Sequence, residues 1–231
     1  MTSGPTTTIL HDAAASGGAA ATVERSDSMD ATLAGSIEQA ILSGDEPRLS
    51  DVLAKLLPAW VERHPEAAAH FASSLAPGPM RDMILGRVAI LWTVQDAPAA
   101  LAWAQTSENL AERNTLVGTV CVQMSQSDPH QALVAAEQFD LGNKNAPIFS
   151  VIAERWATRD PIAAVSWAAA QPPGEGHDGL ISRVALAASG SAPVEAACLL
   201  VDQSPPGNMQ DESVISVLDQ WARRDPKAAA A

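Results

Sequence analysis

The chain has 231 residues, of which 47% are hydrophobic and 18% charged, enough to bury a substantial core. Its formal charge of −13 excludes a non-specific grip on nucleic acid or an anionic membrane, since both need a basic face. Alanine dominates the apolar share, aromatics are 4% and β-branched residues do not alternate, so the expected class is all-α.

Residues 1–31 mix Thr, Ser, Gly and Ala without an apolar period. Such a segment buries too little to offset its ordering entropy and is expected to be a disordered, acidic, low-complexity tail. Part of the negative charge sits here, with seven acids against one Arg over residues 1–47. From Thr32 the pattern becomes helical. "ATLAGSIEQAILSGDE" predicts a short amphipathic helix closed by Ser43-Gly44, and "PRLSDVLAKLLPAWVERH" predicts a second, which Pro58 should kink or restart.

The rest falls into columns on a period of about 32 residues. The anchors, near the ends of long helices, are Trp60, Trp92, Met124, Trp156, Ala188 and, after one extra residue, Trp221. Four residues before them stand Leu56, Val88, Val120, Ile152, Val184 and Val217; seven before, Leu53, Leu85, Val117, Phe149, Ile181 and Val214. These spacings put the columns on one helix face, so each copy carries the same apolar stripe. Four residues after the anchors come His64, Asp96, Asp128, Asp160, Ala192 and Asp225, with Pro next in all copies but the second. Asp suits an N-cap and Pro the first helical position, so this pair predicts a helix start rather than a catalytic row. Eight after the anchors every residue is Ala: Ala68, Ala100, Ala132, Ala164, Ala196 and Ala229. A column held small predicts a close helix crossing. Phe71, Trp103, Ala135, Trp167 and Leu199 follow three later, placing two large side chains on either side of each turn in the first, second and fourth copies.

Each unit is thus a long helix, a turn at Asp-Pro, and a shorter helix. Because two helices cannot cover their shared apolar face alone, the expected fold is a right-handed α/α solenoid of stacked antiparallel hairpins. Residues 32–231 would form about five full hairpins and a partial sixth. In hairpin length, Trp and small-residue columns and Pro placement, this stretch resembles the tetratricopeptide-like α/α repeat superclass. It differs in period, about 32 against roughly 34, and in the place of its Trp. The resemblance implies binding of a peptide, a protein surface or a like subunit on the curved face.

No Gly-rich phosphate loop, nucleophile elbow or His-Glu-x-x-His helix is present, so no catalytic residue, cofactor or metal site is assigned. His64 and His70, with Glu62 or Glu66, are expected to be solvated or capping groups, and Glu175, His177 and Asp178 a polar loop. Cys121 and Cys198 lie in different units and are expected to be small hydrophobes rather than a disulfide. Arg63, Arg159, Arg223 and Arg224 recur before the turns. They suit helix C-termini, and they also form a basic ladder that could clamp a partner's carboxylates.

The expected function is a non-enzymatic protein- or peptide-binding scaffold. The alternatives are an enzyme or regulatory domain with a concave-face site, or a spacer for a further domain. The sequence shows no signal peptide and no apolar run near the roughly 20 residues of a membrane span, which favours a cytoplasmic place. "PKAAAA" supplies little of a cap, so Val214, Val217 and Trp221 are expected to be exposed and the C-terminal end to self-associate or continue.

Overall fold

The structure, a computed structural model, describes residues 13–139, 141 and 147–229. All the regular structure among them is helical: α1 (Ala13–Ser43), α2 (Glu46–Arg63), α3 (Pro65–Ser74), α4 (Pro79–Gln95), α5 (Ala97–Ala104), α6 (Leu110–Met124) and α7 (Pro129–Gln138). Beyond these come α8 (Pro147–Arg159), α9 (Pro161–Ala169), α10 (His177–Ala188), α11 (Pro193–Gln203), α12 (Asn208–Arg224) and α13 (Pro226–Ala229). The chain forms two compact units, Met1–Leu91 and Trp92–Ala231.

The turns follow from capping chemistry. The carboxylates of Asp96, Asp128 and Asp160 accept from the backbone N–H of Ala99, Gln131 and Ala163 at 3.0, 2.9 and 3.1 Å. Each thereby satisfies a donor that the helix leaves unpaired. A single residue separates α2 from α3, α4 from α5 and α8 from α9, and the rings on either side meet: Trp60 and Phe71 at 5.3 Å, Trp92 and Trp103 at 5.6 Å, Trp156 and Trp167 at 6.2 Å. Those contacts require the short helix to fold back along the long one. Ala68, Ala100, Ala132, Ala164 and Ala196 are fully buried, as a close crossing demands.

In the first unit, α2 packs on α1 and α3, and Arg87 of α4 donates to the Leu53 carbonyl of α2 at 3.4 Å. Pro58 is accommodated inside an uninterrupted α2 rather than ending it. Helix α1 closes at Ser43 because Gly44 adopts φ 65°, a left-handed conformation that glycine reaches without a Cβ clash. At its other end α1 begins at Ala13, inside the stretch that the sequence reads as a tail. Residues 13–31 belong to α1, whose alanines favour the helix, and the Asp30 carboxylate accepts from the Trp60 indole N–H at 2.8 Å. Residues 1–12 lie outside the described residues.

In the second unit the long helices α6, α8, α10 and α12 pack successively on one another, and α9 packs on α11. The core is the predicted stripe: Val117, Val120, Phe149, Ile152, Ile181, Val184 and Val217 are buried. Val217 was expected to be exposed. It is instead covered within the unit, and the apolar side chains that α12 turns outward are Ile215 and Leu218.

Candidate functional site

The four arginines of the sequence ladder do not converge. Arg159, at the end of α8, donates to the Ser127 carbonyl just beyond α6 at 2.6 Å, and Arg224 donates to the Gly190 carbonyl just beyond α10. Arg63 is exposed and directs Nη1 toward the Met29 sulfur at 3.8 Å. Arg223 forms an exposed ion pair with Asp219, one turn earlier on α12, at 2.9 Å. Arg155, which sequence reasoning did not single out, donates to the Val122 carbonyl at 2.5 Å and the Ser125 hydroxyl at 2.9 Å. The shared chemistry is cationic: a guanidinium on one long helix satisfies carbonyls left open at the C-terminal end of the preceding one, where the helix dipole also favours positive charge. Arg159 and Arg224 therefore tie neighbouring long helices of the second unit together.

Where the chain enters α10, polar atoms sit in unusual circumstances. His177 is buried, its Nδ1 lies 3.8 Å from an Asp178 carboxylate oxygen, and its Nε2 has no hydrogen-bond partner. Gln171, also buried, donates to the Trp167 carbonyl at 2.7 Å while its Oε1 is unpaired. Glu175 is exposed. Among the described residues no group of three or more His, Cys, Asp or Glu could hold a metal ion. His70 is exposed and His64 partly so, at the α2–α3 turn. The two cysteines are both free, Cys121 buried and Cys198 exposed. In the first unit a cavity of about 300 Å³ lies between the end of α1 and the start of α4; Ile41, Leu42, Leu75 and Met80 form its apolar wall.

The short helices of the second unit carry exposed apolar side chains. On α9, Ile162 is 51% exposed; on its neighbour α11, Val194 is 51% and Val201 60% exposed, with the exposed Cys198 between them. Val134 of α7 occupies the corresponding outer side of its own helix. Ile162 and Val194 stand in the same column, one residue after the Pro that begins each helix, so adjacent hairpins present equivalent side chains. The sequence period contains that row, but the buried Ala column beside it is needed to identify which face points outward.

Compared with family models, with curated proteins and with solved structures, the chain matches none. Among the described residues no helix is long and apolar enough to cross a membrane.

Proposed function

We propose that the chain is a protein- or peptide-binding scaffold built as a right-handed solenoid of α/α hairpins, of the tetratricopeptide-like kind. The observation that carries this reading is the row of exposed apolar side chains, Ile162, Val194 and Val201, repeated on neighbouring short helices. An exposed β-branched side chain gains nothing from water, and Ile162 and Val194, at one repeat position, give a partner two equivalent anchors, with Val201 two turns further along α11. The polar neighbours Ser166 on α9 and Glu195 on α11 would rim such a contact.

The test is affinity capture from native lysate with the full chain and with the double variant Ile162→Asp, Val194→Asp. Both side chains are half exposed, so the variant is expected to keep its helical circular dichroism. The reading predicts that proteins recovered with the parent chain are lost with the variant. Recovery of the same proteins in equal amount would contradict it.

A further inference from the structure

The long helices carry a second set of repeated columns, which in the second unit lie on the side facing the next long helix. Three residues before the anchors, Leu57, Ala89, Cys121, Ala153 and Ala185 are all fully buried. Six before the anchors stand Ala54, Gly86, Gly118, Ser150 and Ser182, none larger than serine. The second unit shows why. A Cβ on Gly118 would lie 3.2 Å from the Ile148 side chain of α8, and the Ser182 hydroxyl is 3.5 Å from that of Ser213 on α12. Where a following long helix packs, this position has room for little more than a hydroxymethyl group.

In α12 the corresponding residues are Ile215 and Leu218, 64% and 43% exposed. An isoleucine in the small-residue column blocks another long helix from packing at the same distance. The face is nevertheless apolar, and it has a distinct seam: Asp211, Ile215, Leu218 and Ala222 follow at steps of four, three and four, the spacing of a helix pair with interdigitating side chains. Its flank is self-complementary in charge. Glu212 lies near the N-terminal end and Arg223 near the C-terminal end of one stripe, with Ser216 and Asp219 between them.

We infer that α12 is a homodimerisation surface, pairing antiparallel with α12 of a second copy about a two-fold axis. Ile215 packs against the partner's Leu218, and Leu218 against the partner's Ile215, as an isologous contact requires. The same axis sets each Glu212 beside the partner's Arg223, so one contact forms two charge pairs. A parallel arrangement would place like charges together at both ends. This inference uses residues other than the α9–α11 row and does not depend on the scaffold reading.

Sedimentation equilibrium of the full chain over micromolar to millimolar concentration tests it. The parent chain is expected to show a concentration-dependent monomer–dimer equilibrium, and Ile215→Glu to remain monomeric with unchanged helix content. Glu212→Arg and Arg223→Glu are each expected to weaken association about tenfold or more. An equimolar mixture of these two variants should recover dimers, because every pair across the axis is then again Arg with Glu. The Asp219–Arg223 ion pair lies within one helix, so its loss cannot account for recovery by mixing. A parent chain monomeric throughout, a dimer that survives Ile215→Glu, or a mixture associating no better than either variant alone would overturn the inference.

Discussion

At the scale of single residues, burial separates two chemically identical thiols. Cys121 packs at the inner face of α6, where desolvation opposes the thiolate and pushes its pKa from 9.0 to about 12, while Cys198 stands exposed on α11. A thiol reagent at pH 8 is therefore expected to label Cys198 quickly in the native chain and Cys121 only on unfolding; equal rates would contradict the burial. The same shift has a consequence for stability. The folded thiol keeps its proton after the unfolded one has released it, so this contribution is complete below pH 9 and is lost as the pH rises from 9 toward 12. Trp60 makes a similar point about environment. Its ring is part of the buried stripe, yet its indole N–H needs an acceptor and finds one in Asp30, a residue that composition alone assigns to a tail.

At the scale of elements, the short helices depend on their alanine column. Ala164 is fully buried on α9, which packs against α8, α10 and α11. Ala164→Leu is expected to overpack that crossing and cost about 1–3 kcal/mol in chemical denaturation, whereas Ala102→Leu, on the exposed side of α5, should stay within about 0.5 kcal/mol. Equal tolerance of the two would contradict the close approach. Helix starts and the core stripe were legible because their causes are local: an Asp carboxylate accepts from the backbone N–H three residues on, and apolar spacings of three and four define a face. The arginine ties were only half legible. Sequence places Arg159 and Arg224 at helix C-termini, but the carbonyls they serve, Ser127 and Gly190, belong to the preceding hairpin and depend on how far the long helices slide past one another. Arg155 carries no turn signal at all. The start of α1 at Ala13 has no apolar period to reveal it, and only its alanines favour the helix. In the sequence the core stripe and the outward strip of α12 look like one face; the structure separates them, Val217 inward and Ile215 and Leu218 outward.

At the scale of the whole molecule, architecture is far more legible than role. A period of about 32 residues reports how hairpins are built, since every copy must solve the same packing problem. The residues that would meet a partner need not follow that repetition, and the proposed surface is the outward row on α9 and α11. The central claim is that this row is the surface a partner occupies. Site-specific photo-crosslinking in cells tests it directly, with a benzophenone amino acid placed at Ile162, at Cys198, or at Leu186 on the outer side of α10. The account predicts covalent protein adducts from positions 162 and 198 and none from position 186. Adducts from position 186 alone, or from none of the three, would contradict it.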